Sequence, residues 1–316
     1  MEATKALLKM GLRADVVAHV RATKADIDQA LRCDARWVAV FLSVSDIHLD
    51  AKLRITRQEA WARAVEIAEY IRAHGLKARF TLEDASRAEP AFLLEMCKEV
   101  SGRGIERIGL PDTVGVLRPR GMYNLVKMVH DHIDASRTSI DVHCHNDLGL
   151  AMANALAGCE AGADQIHTSV DGYGERAGIP SLAEAAVALT LFHEPSRDLG
   201  LRRLRELSQL VADFTRLPIP VATPIVGDDV FKHKAGIHVA AVLRNPATYE
   251  GLDPKAVGNR RKIVLGPLVG KNGVAHLLSV LGLEHGAREA EALARALKTL
   301  HGGDLVELNL DWDPES

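Results

Sequence analysis

The chain has 316 residues, a formal net charge of −3, 26% charged residues and 47% hydrophobic residues, a balance typical of a globular protein with one large domain and a smaller one. The lack of a basic excess and an aromatic content of 4% argue against nucleic acid as a partner, and the lack of a long apolar run or a signal peptide argues against a membrane partner. The four cysteines have neither CxxC nor framework spacing, so we expect reduced thiols in a cytoplasmic protein.

Strand-like and helix-like segments alternate along most of the chain. After a short helical tail at 4–10, apolar runs predict strands at 15–20, 37–42, 77–82, 106–110, 140–144 and 165–170. Helical periodicity and stop signals predict helices at 24–31, 58–74, 89–100, 119–132, 150–162 and 181–191. The segment 43–53 is predicted to be a polar loop. The strands are rich in Val, Ile and Leu, which is typical of a parallel sheet covered on both faces.

Polar residues follow nearly every predicted strand, and this repetition is typical of the catalytic rim of a (β/α)8 TIM barrel. An open doubly wound sheet would instead use a glycine-rich phosphate-binding turn after its first strand, and no such turn follows an early strand here. The sequence contains only about six strand–helix units, whereas a closed barrel needs about eight. We therefore expect an α/β fold, namely a (β/α)8 barrel that lacks its first two β/α units in this chain. Either the barrel is incomplete, or another chain supplies the missing units.

The character of the sequence changes after about residue 194. A helix is predicted at 199–214, a proline-rich link at 217–224, a last helical region at 272–300 and a loose acidic tail at 305–316. These features predict a barrel domain over 1–195 and a linker, lid and mainly helical accessory region over 196–316.

His143 and His145 give the strongest chemical signal, because residues two apart on a strand point to the same face. Two imidazoles side by side form half of a divalent-metal site. An isolated HxH pair is more often two hydrogen-bonded structural histidines, but the adjacent Asn146 and Asp147 at the strand end favour the metal. A third ligand, usually a carboxylate, is required, and spacing does not select one among Glu83, Asp84, Asp112 and Asp147.

Other polar residues at strand ends allow two interpretations each. Arg79 and Glu83 form either a surface ion pair or a carboxylate clamp with a proton-transfer group. Thr113 either caps a turn or donates to a bound carboxylate. Glu175 and Arg176, placed between glycines, belong either to a structural turn or to a loop that closely approaches a ligand.

The accessory region contributes two histidines and a basic set. His233 and His238 lie on either side of Ala235-Gly236, either in an ordinary loop or in a flexible lid that carries a general acid or base. The basic set is either a solvated face or a contact for the phosphates of a nucleotide-like cofactor, and it consists of Arg260, Arg261, Lys262 and Lys271.

The segment HCHNDLGLAMANALAGCEAGADQIHTSVDGYGERAG at 143–178 resembles a signature of the homocitrate synthase/isopropylmalate synthase family. This family consists of metal-dependent TIM-barrel enzymes that condense acetyl-CoA with 2-oxoacids. The resemblance covers about 7–281 and includes SVSDIHL at 43–49, FTLEDASR at 80–87, PDTVG at 111–115 and FKHKAGIH at 231–238.

The resemblance implies a role for each matching residue. His143 and His145 would bind a divalent metal (Mg²⁺, Mn²⁺, Co²⁺ or Zn²⁺), which also chelates the carboxylate and keto oxygen of the oxoacid. Arg79 and Thr113 would hold the oxoacid, and Glu83 would line the same pocket. His238 would act as an acid or base near the acetyl group, and Tyr249 is a weaker candidate for the same step. Glu175 would bind substrate.

The stretch Ala18-His-Val-Arg21 is similar to the homocitrate synthase version of the family, in which this histidine contacts the far carboxylate of 2-oxoglutarate. His19 and Arg21 would then bind substrate, and the reaction would belong to lysine or related amino-acid biosynthesis. An isopropylmalate synthase needs an apolar pocket at this place. The resemblance therefore favours 2-oxoglutarate, with isopropylmalate or citramalate synthesis on another 2-oxoacid as the alternative.

The sequence departs from the family at its start. Members begin with a strand that ends in D-[ST]-T-L-R-[DE]-G-E-Q and supplies the third metal ligand, and nothing in 1–20 matches this motif. We therefore expect weak or no condensing activity from the chain alone and a possible second chain that supplies the missing strands. The family also implies a homodimer in which the lid reaches over the neighbouring barrel. The alternative to an enzymatic function is a non-catalytic scaffold or regulatory subunit.

Overall fold

The computed structural model describes residues 2–193, 198–234, 236–265, 269–280, 282–299 and 306–309. The chain divides into two compact units, 1–185 and 186–316. The domain boundary predicted between 195 and 196 lies outside the described residues. Within the described ranges, no helix is both long and apolar enough to cross a membrane.

The first unit is a parallel sheet whose six strands pair in sequence order. The strands are β1 (Val17–Arg21), β2 (Trp37–Ser43), β3 (Lys77–Glu83), β4 (Arg107–Asp112), β5 (Ser139–Cys144) and β6 (Gln165–Ile166). The helices are α1 (Glu2–Lys9), α2 (Lys24–Arg32), α3 (Asp46–His48), α4 (Arg57–Ala73), α5 (Pro90–Gly102), α6 (Pro119–His130), α7 (Ala151–Glu160) and α8 (Leu182–Phe192). Helix α8 runs across the division between the units. The predicted α/β alternation and its six strands are confirmed.

The two faces of the sheet differ in chemistry because successive residues of a strand point to opposite faces. One face is apolar and belongs to a core shared with the helices, in which Val40, Phe80 and Leu110 are fully buried. The other face carries polar side chains, including Arg79 and Asp141, at alternate positions of the same strands. The sheet therefore has a stabilising face and a face available for chemistry.

Local sequence determines where the longer helices begin. The Thr56 hydroxyl accepts from the Glu59 backbone N–H, and the Glu59 carboxylate accepts from the Thr56 backbone N–H. This reciprocal pair satisfies two helix-end donors and starts α4. Glu89 caps α5 through the backbone N–H groups of the first turn, directly before Pro90.

Two sequence predictions in this unit need correction. The sixth strand covers Gln165–Ile166 rather than 165–170, because its pairing with β5 ends at Ile166. Ser169 remains extended but forms only an isolated bridge with Ser181, and a 3₁₀ turn begins at Val170. The segment 43–53 is not a simple loop, since it contains α3 and a π-helical turn at Leu49–Leu53.

The second unit contains helices and a small sheet. Its further helices are α9 (Leu204–Thr215), α10 (Gly236–Arg244), α11 (Lys271–Val280) and α12 (Ala287–Lys298), and its strands are β7 (Lys232–His233), β8 (Lys262–Leu265) and β9 (Val306–Asn309). The helical character is confirmed, whereas the sheet was not predicted. The predicted helical region at 272–300 contains α11 and α12, and its residues 281 and 300 lie outside the described residues. Of the tail predicted to be loose, the described part is β9, which pairs with β8.

Gly158 allows α7 to approach β5 closely. A Cβ atom at this position would lie 2.8 Å from Cγ1 of Val142 and 3.4 Å from its Cγ2, and the branched valine side chain is stiff. We expect Gly158→Ala to lower the free energy of unfolding by about 1–3 kcal/mol, as overpacking usually does, measured by urea denaturation. Gly102→Ala at the end of α5 is the control, because nothing lies within 4 Å of its added methyl. Equal stability of the two variants would contradict the close approach.

Candidate active site

His143 and His145 lie at the carboxyl end of β5 on the polar face of the sheet. The His143 Nε2 and His145 Nε2 atoms are 3.2 Å apart, and the rings are inclined by 71°. Two imidazole nitrogens bound to one ion at about 2.1 Å each lie about 3.0–3.4 Å apart for right-angle to tetrahedral geometry. The donor pair therefore fits a divalent metal.

The surroundings keep the His143 ring in the form that a metal requires. Burial, the neighbouring rings of His167 and His145, and the Arg79 cation lower the pKa of His143 to about 3. Burial and the Arg176 cation also lower the pKa of His145. A neutral imidazole is the ligand form, and the lowered pKa keeps the His143 ring neutral throughout the neutral pH range.

The four acidic candidates for a third ligand are all engaged elsewhere. Glu83 accepts from Ser43 and from Lys52 at 2.5 and 2.6 Å, and Asp84 accepts from Ser45 and Arg87. Among the described residues, no group of three His, Cys, Asp or Glu side chains is placed to hold a metal. The remaining two candidates also accept hydrogen bonds. Asp112 accepts from backbone N–H groups, and Asp147 accepts from Arg176.

A row of polar side chains continues from His143 across the sheet. The His143 Nδ1 atom lies 3.2 Å from Nδ1 of His167, and Nε2 of His167 lies 2.7 Å from Nη1 of Arg79 and 3.4 Å from Oδ2 of Asp141. Asp141 is fully buried, and Arg107 also lies 3.3 Å from its carboxylate. Arg79 is thus linked to His143 through the ring of His167, and its role in binding the oxoacid stays a prediction.

The ion pair between Arg79 and Glu83 that the sequence left open is not formed, although both residues lie on one face of β3. Arg79 lies 3.9 Å from Asp141, whereas Glu83 pairs with Lys52 at 2.6 Å. The two residues lie close along one strand, as the sequence indicates, but their partners come from other strands and loops.

Thr113 joins three loops of the rim. Its hydroxyl oxygen accepts from the backbone N–H of Asp84 at 2.9 Å, and its carbonyl accepts from Arg176 at 2.7 Å. Arg176 also binds both carboxylate oxygens of Asp147. Because the Thr113 hydroxyl accepts here, its own proton points elsewhere and can be donated to a ligand. Arg176, rather than the exposed Glu175, holds this loop in place.

His19 and Arg21 occupy different environments. The His19 ring stacks on Phe41 with 5.0 Å between ring centroids, and burial together with the cation of Arg79 lowers its pKa, so His19 lies near the polar row. Arg21 instead forms a bidentate ion pair with Asp26 in the first turn of α2, at 2.8 Å for both contacts. The structure does not bring the Arg21 side chain to the histidine pair.

The candidate residues of the second unit form their own cluster. The rings of His238 and Tyr249 pack against each other with 4.1 Å between centroids and an inclination of 33°. The next residue, Glu250, accepts from Nε2 of His233 at 2.9 Å and from both arms of the Arg261 guanidinium. The side chains of His233 and Arg261 are 10% and 6% exposed against Glu250, so Arg261 is not part of a solvated face. The role of His233 as an acid or base in a lid stays a prediction.

Sequence reasoning missed Asp141 and His167. Asp141 could have been found, because Asp141, His143 and His145 repeat with the two-residue period of one strand face. His167 follows β6, which pairs with β5. Its proximity to His143 depends on the order of the strands and leaves no local signal in the sequence.

Comparison with known proteins gives consistent matches over both units. Residues 1–211 match the HMGL-like family model, and 225–303 match the model described as homocitrate synthase post-HMGL domain-like. A probable 2-isopropylmalate synthase from Ignicoccus hospitalis is 47% identical over 89% of this chain and 70% of its own length. Homocitrate synthase AksA from Methanopyrus kandleri is 39% identical over 95% of this chain and 75% of its own length.

A solved structure supports the fold. An HMG-CoA lyase from Bacillus subtilis superposes with a TM-score of 0.62 over 70% of this chain and 78% of the lyase, at 16% identity. This likeness concerns the barrel fold alone. The family models and the two synthases extend the assignment from the fold to the family. The chain belongs to the HMGL-like family and, within it, to the group of homocitrate and 2-isopropylmalate synthases.

Proposed function

We propose that this chain acts in the condensation of acetyl-CoA with a 2-oxoacid, with 2-oxoglutarate as the favoured substrate and homocitrate as the product. The observation that supports it is the pair of Nε2 atoms of His143 and His145, 3.2 Å apart and beside Arg79, in a chain of this family. A cation next to two metal-type ligands is the arrangement that a chelating 2-oxoacid needs.

The residues have separate roles in this proposal. His143 and His145 hold a divalent metal, which supplies Lewis acidity to the keto group when bound. Arg79 binds the carboxylate of the oxoacid through two parallel N–H groups, and the Thr113 hydroxyl donates to the same carboxylate. His238, which packs against Tyr249, removes a proton from the acetyl methyl group.

The reaction then balances with water as the only further reactant. The methyl carbon, after losing its proton, forms a bond to the keto carbon, and the keto oxygen takes up a proton. Water then hydrolyses the thioester, which releases CoA as the thiol and leaves a new carboxylate, the third of homocitrate, on the product. Glu83, fixed by Ser43 and Lys52, lines the oxoacid pocket as a carboxylate.

His19 supports a dicarboxylic substrate. Its lowered pKa keeps the ring neutral near pH 7, so that it donates one N–H to the distal carboxylate of 2-oxoglutarate while stacked on Phe41. The second candidate is 2-isopropylmalate synthesis, favoured by the 47% identity to the Ignicoccus synthase. It would place the branched carbon chain of its substrate against Phe41.

A binding and turnover panel tests the proposal. The purified chain is titrated with 2-oxoglutarate, 3-methyl-2-oxobutanoate and pyruvate, each with Mg²⁺, Mn²⁺, Co²⁺, Zn²⁺ or EDTA, and acetyl-CoA-dependent thiol release is then measured. We expect metal-dependent binding that is strongest for 2-oxoglutarate and is lost with EDTA, followed by slow CoA release.

The outcomes separate the alternatives. Tightest binding of 3-methyl-2-oxobutanoate would favour isopropylmalate synthesis. Metal-dependent binding without CoA release would favour a non-catalytic subunit. The absence of metal-dependent binding for every oxoacid would contradict the proposed function altogether.

A further inference from the structure

His167 lies behind His143, on the side of the ring away from His145. It contacts Nδ1 of His143 at 3.2 Å, whereas Nε2 of His143 faces His145 at 3.2 Å. A metal held between the two Nε2 atoms would therefore lie at one edge of the His143 ring, and His167 contacts the opposite edge. His167 is thus placed to orient a ligand and not to be one.

The far side of His167 is fixed by charged groups. Its Nε2 atom lies 2.7 Å from Nη1 of Arg79 and 3.4 Å from Oδ2 of Asp141. Asp141 is fully buried between two guanidinium groups, those of Arg79 at 3.9 Å and Arg107 at 3.3 Å. A carboxylate behind a histidine that contacts a ligand histidine is the kind of outer support that fixes ligand orientation.

Hydrogen-bond direction couples the members of this row. A neutral imidazole has one N–H, and a guanidinium can only donate. When Arg79 donates to Nε2 of His167, the proton of His167 lies on Nδ1 and is donated to Nδ1 of His143. The proton of His143 then lies on Nε2, where it blocks the lone pair.

The reverse direction has the opposite effect. When Nε2–H of His167 donates to Asp141, Nδ1 of His167 accepts from Nδ1–H of His143, and the His143 Nε2 lone pair is open. Two N–H donors, on Arg79 and on His167, then face each other, so Arg79 leaves His167 and is available to a substrate carboxylate. Net charge is the same in both arrangements, because only the positions of the protons differ.

We propose that His167 is a positioning residue that presents the Nε2 lone pair of His143 to a metal and couples this to the release of Arg79 for substrate. The inference rests on the metal site of the proposed function. In this inference, Asp141 accepts the hydrogen bond from Nε2–H of His167, and this contact leaves the Nε2 lone pair of His143 open.

Cobalt binding tests the inference without turnover. Co²⁺ is titrated into the full chain, and its visible absorption gives both affinity and ligand geometry. We expect His167→Ala to weaken Co²⁺ binding by about 10–100-fold, the usual effect of removing an outer-shell partner. His167→Asn keeps an oxygen near the former Nδ1 position to accept from His143, and we expect it to remain within about 3-fold of the parent chain. His132→Ala is the matched control, since His132 is exposed and bonds to a carbonyl of its own helix.

Proton positions provide a second readout. In ¹⁵N-histidine spectra of the parent chain with Zn²⁺, we expect His143 to carry its proton on Nδ1 and His167 on Nε2. Unchanged Co²⁺ affinity and spectrum in His167→Ala, or equal losses in His167→Asn and His167→Ala with both variants folded by circular dichroism, would overturn the inference. A parent chain that binds no Co²⁺ would also overturn it. Normal Co²⁺ binding with no oxoacid binding would contradict the proposed function and leave this inference standing.

Discussion

Replacement of His143 by alanine is expected to weaken divalent-metal binding by more than about 100-fold, beyond the loss typical of an outer-shell residue, and to abolish thiol release from acetyl-CoA. The variant leaves His145 as a single imidazole ligand, because the acidic residues of the rim are held by other partners. Calorimetric titration with Mn²⁺ and a thiol-release assay check both effects.

The control for this variant is His74→Ala, which removes an exposed histidine that bonds to Tyr70 at the end of α4. It is expected to keep the metal affinity of the parent chain. The side chain of His143 lies on the polar face of the sheet, so the loss of metal binding is expected without loss of the fold, as measured by circular dichroism. Metal affinity of His143→Ala equal to that of the control would show that the site lies elsewhere.

Replacement of Asp141 by alanine is expected to destabilise the fold by about 3 kcal/mol. Removal of one partner from a buried ion pair costs about 3–5 kcal/mol, because the remaining charge stays buried without compensation. We take the lower end because the side chains of Arg79 and Arg107 are 21% and 34% exposed, which lets water screen part of the charge. Urea denaturation followed by circular dichroism measures the change.

Asp131→Ala is the matched control, since Asp131 pairs with Lys127 on the surface at 45% exposure. Such exposed pairs contribute little to stability because water screens them, so this variant is expected to stay close to the parent chain. A loss in Asp141→Ala no larger than that in Asp131→Ala would mean that the two guanidinium groups do not depend on the buried carboxylate.

The fold was largely predictable because it depends on local patterns. Apolar runs and caps located the strands and helices of the first unit, and the residues of the HxH pair were placed on one face by the period of the strand. The errors arose where long-range contacts decide the structure. Strand β8 contains Lys262 beside the apolar Ile263 and Val264, and its identity as a strand depends on pairing with β7 and β9.

The candidate site was predictable only in part, for a related reason. Arg79 was expected to hold the oxoacid, but the sequence did not reveal its contacts, because its partners Asp141 and His167 come from β5 and the segment after β6. Arg21 was expected to bind substrate because the stretch Ala18-His-Val-Arg21 resembles the homocitrate synthase version of the family. Its guanidinium instead pairs with Asp26, a contact between a strand end and the next helix that sequence periodicity does not reveal.

The order of the strands has a consequence for the way the chain is made. Each strand of the six-stranded sheet pairs with the strand that precedes it in the sequence. A nascent chain can therefore add one strand and its crossover helix at a time to an edge that has already left the ribosome. Such growth keeps the sequence separation of the pairing contacts small and avoids the slow search that distant strand partners impose. The apolar face of each new strand is covered soon after synthesis by the helix that follows it.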